Sequence, residues 1–156
     1  MTAGVTSAER FRSWPEIQAN AARAAGGFAA LGVGEDDSVA LMVRNDFATF
    51  ESNMAAGQLG AYAVPINWHF TAEEAGYILS DCAAKVLVIH ADLLPQIAAG
   101  VPAGTRVLVV PTPAEIGDAY GCRPRSGQRP QASRPGMPSS PAANQTPHRP
   151  RPRAAA

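Results

Sequence analysis

Lysine is nearly missing from this 156-residue chain: Lys85 is the only one. A phosphate-binding loop needs glycines and a lysine that reaches the phosphates, and no glycine-rich stretch here carries one. Cysteine is almost as scarce. Cys82 and Cys122 stand in no CxxC or metal-ligand spacing, which argues against a disulfide framework and against a zinc site. Long apolar runs are lacking as well: the longest, residues 39–43 and 107–110 among them, are about a quarter of a membrane span. Polar and charged residues (Thr6, Ser7, Glu9, Arg10) stand where a signal peptide would need an apolar stretch. These absences lead to the expectation of a soluble, cytoplasmic protein with no membrane span. No Ser-His-Asp order and no paired-carboxylate constellation stands out, so no catalytic, cofactor-binding or metal residue is assigned.

Residues 121–156 lack more. They hold no acid and no Ile, Leu, Val, Phe, Tyr or Trp, but 8 of the 14 prolines and 7 arginines. Their net charge is +7, against −7 for residues 1–120 with 13 acidic and 6 basic side chains, so the neutral total is a cancellation. Such a segment cannot bury enough apolar surface to offset the entropy of ordering it, and a disordered basic tail is expected. Its arginines suggest nucleic acid or an acidic surface as partner. With no aromatic interleaving and no lysine, nucleic acid is disfavoured.

What is present lies in residues 13–120, after an extension of residues 1–12. The organising stretch is 60–80, GAYAVPINWHFTAEEAGYILS. Its residues 61–65 read as a short buried strand stopped by Pro65. Asn67 to Phe70 form a polar-aromatic turn. Thr71 with Glu74 three residues on has capping-box spacing, predicting a helix over 72–81. Upstream, Ser13, Pro15 and Glu16 open a helix whose Ile17, Ala21, Ala24, Ala25 and Phe28 share a face, ending at Gly32. Residues 38–43 read as a fully buried strand. Asn45 or Asp46 caps a second helix to about Leu59, with Phe47, Phe50, Met54 and Leu59 as its apolar stripe. Residues 85–90 and 106–110 are two more strands, separated by a short helix over 92–99 that Pro95 interrupts. A weak helical scrap spans 114–120. The alternation predicts the α/β class: a partial parallel-sheet layer with helices on both faces.

Four motifs invite a functional reading. Gly32-Val33-Gly34 lacks the third glycine of a dinucleotide fingerprint and follows a helix, so a helix stop is favoured. Glu35-Asp36-Asp37 is read as a solvated loop and not a cation site. Asn67, Trp68 and His69 sit where a parallel strand ends, the position at which such sheets place ligands, and form a possible pocket edge. Simple aromatic packing is the competing reading. His90, at the end of the third strand, is read as structural.

These residues resemble the N-terminal end of the adenylate-forming (AMP-binding) synthetase and ligase superfamily, in its acyl-CoA synthetase branch. The resemblance runs from Ser13 to about Val110. Ser13-Trp14 with Glu16-Ile17 is similar to the opening helix, and Ala30-Leu31-Gly32-Val33 with Asp37 and Val39-Ala40-Leu41 to the family's first turn and strand. Arg44-Asn45, Gly60-Ala61 with Val64-Pro65-Ile66-Asn67, Thr71 with Glu73-Glu74 and Tyr77 to Asp81, and Ala84 to Val88 follow in the family's order. Around Asn67 to Phe70 the wording is similar to fatty-acid or bile-acid-type CoA ligases. The resemblance implies, for full-length relatives, ATP- and magnesium-dependent conversion of a carboxylic acid to an acyl-adenylate, then transfer to coenzyme A.

The family's lysine-ending phosphate loop, its adenine and ribose motifs and its C-terminal domain with the catalytic lysine have no counterpart here. The expectation is therefore a truncated fragment, inactive alone, needing no cofactor of its own, marginally stable and prone to self-association through an exposed sheet edge. The arginine-, proline- and alanine-rich tail has the composition of a GC-rich gene read in a shifted frame, which places a possible frameshift near Gly121. The alternative is a small α/β binding module whose tail contacts nucleic acid or an acidic partner. A third reading is an enzyme completed in trans by a separate polypeptide.

Overall fold

A computed structural model describes residues 3–119. The basic tail over 121–156 and the frameshift point lie outside the described residues.

The predicted alternation is present. The chain runs β1 (Gly4–Ser7), β2 (Arg10–Ser13), α1 (Trp14–Ala30), β3 (Ser38–Met42), α2 (Phe47–Gln58), β4 (Tyr62–Pro65), α3 (Ala72–Asp81), β5 (Val86–His90), α4 (Leu94–Ile97) with a 3-10 turn Ala98–Gly100, β6 (Arg106–Val110) and α5 (Ala114–Ala119). Strands β3 to β6 form one parallel sheet in the order β4-β3-β5-β6. Helices α1 and α2 cover one face, where Ala25, Phe28, Ala55 and Ala56 meet Val39, Leu41, Val86 and Val88. On the other face Ala75, Leu79, Leu93 and Ile97 meet Ala40, Met42, Leu87 and Ile89. Alternate residues of β3 and β5 thus enter opposite cores, which is why both strands are apolar throughout.

The helix boundaries follow from local chemistry. At α3 the Thr71 Oγ1 accepts from the Glu74 N–H at 3.3 Å while the Glu74 carboxylate accepts from the Thr71 N–H at 2.9 Å, the reciprocal bonds that the spacing predicted. Glu16 accepts from the Ser13 N–H and hydroxyl at 2.8 and 2.7 Å. Helices α1, α2 and α3 all end in the same double bond back onto their last turn. In α1, Gly32 donates to Ala29 and Val33 to Phe28. The left-handed residue this requires is Gly32 (φ 84°) in α1 and Gly60 (φ 71°) in α2, but Ala83 (φ 48°) in α3.

Three readings are corrected. Residues 61–65 do not form a buried strand: β4 is the sheet's edge, with Tyr62 and Pro65 exposed. Pro65 has no N–H to give a further neighbour, a residue suited to an edge. The apolar stripe read for α2 holds only in part: Phe47 is buried and Leu59 packs on the core, but Phe50 is exposed and Met54 half-buried. The buried positions are Phe47, Ala48, Ser52, Ala55 and Ala56, because small side chains let α1 and α2 approach closely. Phe50 is exposed and meets Trp14, the first residue of α1, edge-on at the rim of that contact, with ring centroids 6.3 Å apart. Finally, residues 4–13 of the chain's start form an antiparallel hairpin, β1 with β2, that the sequence did not suggest.

Candidate functional site

In a parallel sheet the carboxyl ends of the strands face one edge, and ligands gather where the strand order reverses. Here β3 is followed on one side by β4 and on the other by β5, so the reversal falls between β3 and β5. Arg44 follows β3, and His90 and Asp92 stand at the end of β5. The geometry brings them together.

The Arg44 side chain has no exposed surface, and its two terminal nitrogens donate to both Asp92 carboxylate oxygens at 2.8 and 2.6 Å. The fork geometry of guanidinium and carboxylate makes this a bidentate pair. The Arg44 guanidinium also lies over the Trp68 ring, 5.0 Å from its centroid. Thr112, after β6, donates its hydroxyl to the Asp92 carboxylate. The ends of β3, β5 and β6 and the connector after β4 are therefore tied by one arginine and one aspartate. The backbone N–H of Arg44 donates to His90 Nδ1 at 3.1 Å. Burial is the main cause holding the His90 pKa below its usual value, with the Asp46 carboxylate opposing it. Asp46 accepts from Arg10 of β2 at 2.7 Å, which fastens the hairpin to the same edge.

Of the possible pocket-edge residues, only Trp68 joins this network. Asn67 is exposed; its side-chain oxygen accepts from the His69 N–H at 3.1 Å and shapes the turn. His69 is exposed and stacks on Trp68, ring centroids 3.5 Å apart. The sequence reading passed over Arg44, Asp46, Asp92 and Arg10 as a group. The available signal was a lone arginine directly after a buried strand, a position where a charge needs a partner.

The opposite, amino edge accounts for Lys85 and the acidic turn. Lys85 Nζ donates to Asp37 Oδ2 at 2.8 Å and to the Gly32 carbonyl at 2.9 Å, joining the start of β5 to the turn after α1. Asp37 also accepts from the Gly34 N–H, and these bonds, that from Lys85 first, lower its pKa. Gly32 and Asp37 are thus structural, as a helix stop and a loop.

At the carboxyl edge the four connectors read Val43-Arg44-Asn45-Asp46, Ile66 to Thr71, Ala91-Asp92-Leu93 and Pro111-Thr112-Pro113. None contains a glycine, so no backbone loop there is open to a triphosphate, and Lys85 is at the wrong end of the sheet. No group of three or more His, Cys, Asp or Glu among the described residues could hold a metal ion. These residues do not fit a nucleotide with its magnesium. What they do is hold four strand ends in register through charges that compensate one another.

Comparison with known proteins decides the family. The profile of the AMP-binding enzyme family matches residues 2–152. The chain belongs to that family. The match runs on past Gly121 and does not itself mark a break there. Feruloyl-CoA synthase of an Amycolatopsis species is 37% identical over 99 residues, covering 59% of this chain and 20% of its own length. Long-chain-fatty-acid–CoA ligase FadD13 of Mycobacterium tuberculosis is 38% identical over 85 residues, 54% of this chain and 17% of that protein. Among solved structures, a Mycobacterium tuberculosis fatty acyl CoA synthetase superposes with a TM-score of 0.61 at 30% identity, over 81% of this chain and 26% of that one. The AMP-binding chain described here thus spans about a fifth of the curated relatives it matches. These matches give no support to a nucleic-acid-binding module. No helix among the described residues is long and apolar enough to cross a membrane.

Proposed function

We propose that residues 13–120 are the N-terminal part of the large domain of an acyl-CoA synthetase, and that the 156-residue chain does not activate an acid by itself. In the whole enzyme the reaction joins a carboxylic acid to coenzyme A through an acyl-adenylate made from ATP with magnesium. The relatives' names include both aromatic and long-chain aliphatic acids, so the substrate class is a carboxylic acid, with a fatty acid as the finer reading. The observation that carries the proposal is the carboxyl edge: it has the strand order of a ligand-binding sheet but four connectors without glycine or lysine. This segment supplies a frame, and the phosphate chemistry belongs to residues it does not contain. The frame functions in the cytoplasm. Among the described residues both outer strands, β4 and β6, have one unpaired edge, and β6 exposes Val109, so the isolated chain self-associates.

Acid-dependent ATP–pyrophosphate exchange tests both halves. The chain alone, offered aromatic and aliphatic acids, is expected to show none, and exchange above the no-acid blank would overturn the claim of inactivity. Residues 13–110 grafted in place of the matching segment of a feruloyl-CoA synthase are expected to preserve exchange. A soluble, folded graft without exchange would count against the assignment. Size-exclusion chromatography over a concentration series checks the self-association, and a monomer throughout would remove it.

A further inference from the structure

His90 closes β5 and has no exposed surface, yet the frame described above uses only one of its two ring nitrogens. Nδ1 accepts the Arg44 N–H, so the neutral ring carries its proton on Nε2. Among the described residues that N–H has no acceptor within hydrogen-bond distance. It faces Asp46, whose Oδ2 is 4.0 Å away. The other oxygen of Asp46 is held by Arg10, which reaches it from β2. Arg10 in turn faces Glu115 of α5 at 3.9 Å. The remaining charged neighbours, Arg44 and Asp92, are paired with each other.

We propose that His90 is a proton-operated latch: when its ring takes up a proton, the end of β3 separates from β5 and the Arg10 tie of the β1–β2 hairpin to the sheet edge loosens. The step adds one proton and breaks no covalent bond. Only Nδ1 has a free lone pair in chemical terms, and that lone pair is the acceptor for Arg44. A proton there sets two N–H groups against each other across 3.1 Å, so the ring and the strand end must part. The resulting imidazolium is drawn to Asp46 and competes with Arg10 for it. Arg10 is the hairpin's ion pair to the connector before α2, so that tie loosens in the same event, while Arg12 of β2 stays paired with Glu51 of α2.

The direction with pH follows from burial. The folded-state pKa of His90 lies below the usual 6.5, so its stabilising contribution is complete above 6.5 and falls away as the pH drops below it. Hydrogen bonds from Ser13 and Thr71 lower the pKa values of the capping-box carboxylates Glu16 and Glu74.

The two tryptophans of the chain are placed to report the latch. Trp68 lies over Arg44, and the backbone N–H of Trp14 donates to the Ala3 carbonyl beside β1 at 3.1 Å. The test is an NMR titration of the full chain from about pH 7.5 to about pH 5, following the Trp68 indole N–H, the Trp14 backbone amide and the histidine ring carbons. The Trp68 indole and the Trp14 amide are expected to shift with one midpoint, below 6.5, that coincides with the His90 ring, while far-UV circular dichroism stays constant. The same step is expected in His69→Gln, which removes the exposed imidazole stacked on Trp68. It is expected to vanish in His90→Asn, whose side-chain oxygen replaces Nδ1 as acceptor without titrating. A Trp14 signal that does not move, a step that disappears with His69, or a step that survives in His90→Asn overturns the proposal. Should His90→Asn not fold, the His90 carbon signal in His69→Gln still decides: a midpoint apart from that of Trp14 refutes the latch.

Discussion

Deleting Asp92 is expected to damage this fold more than deleting Arg44, although the two form one ion pair. The reason is their unequal exposure: the Arg44 side chain is fully buried, while that of Asp92 keeps 26% of its surface. Asp92→Ala takes the bidentate carboxylate from a guanidinium that cannot reach water. Removing one partner of a buried ion pair costs about 3–5 kcal/mol. Arg44→Leu removes the charge itself and leaves an aspartate that can hydrate and still accept from Thr112. The loss is then the contact with the Trp68 ring and the net value of the hydrogen bonds, about 1–2 kcal/mol. Thr112→Ala, at about 1 kcal/mol, isolates the hydroxyl's share. The double variant Arg44→Leu/Asp92→Ala should be more stable than Asp92→Ala alone, since the buried guanidinium is removed together with its carboxylate. Urea denaturation at neutral pH, with midpoints compared at constant slope, gives all four values. If Arg44→Leu proves as harmful as Asp92→Ala, or if the double variant is the worst of the set, attraction within the pair dominates and the reasoning from desolvation fails.

Other expectations are simpler. Ala83→Gly should stabilise the chain by about 0.5–1 kcal/mol, the left-handed strain of alanine less the extra freedom of glycine in the unfolded chain. Ala83 is exposed, so its methyl group contributes little burial, and a rise of a few degrees in Tm checks the claim. Thr71→Ala should cost about 1 kcal/mol and speed amide exchange first in α3. Hydrogen bonds from Ser13 to Glu16 and from Thr71 to Glu74 hold both carboxylates below 4.5. The stability these bonds give is therefore present above that pH and lost as the pH falls through the folded values, visible as fraying of the α1 and α3 amino ends.

How far the sequence was legible depended on whether the cause of a feature was local. Thr71 and Glu74 place the start of α3 because a capping box is a contact across three residues. The apolar runs of β3 and β5 announced two-sided burial. The position of β4 did not show, because an edge is defined by which strands find one another, and residues 62–65 are as apolar as a central strand. Pro65 was the one hint. The hairpin stayed hidden because its turn, Ala8-Glu9, has no Gly or Asn, although Ala8 takes φ 52°. On α2 the large residues Phe50 and Met54 drew the eye from the alanines that make the contact. Arg44 and Asp92 are 48 positions apart and meet only because β5 lies beside β3. The resemblance identified the family, but a resemblance between sequences carries no charge network.

The strand order has a consequence for synthesis. β3 is made first, β4 then adds to one side of it, β5 to the other, and β6 to the outside of β5. No strand has to be inserted between two already paired. Each crossover is a single helix-bearing loop, and the longest wait is that of β3 for β5. As the chain leaves the ribosome, the sheet can therefore grow outward in the order in which its strands emerge, with its non-local pairings made one open border at a time.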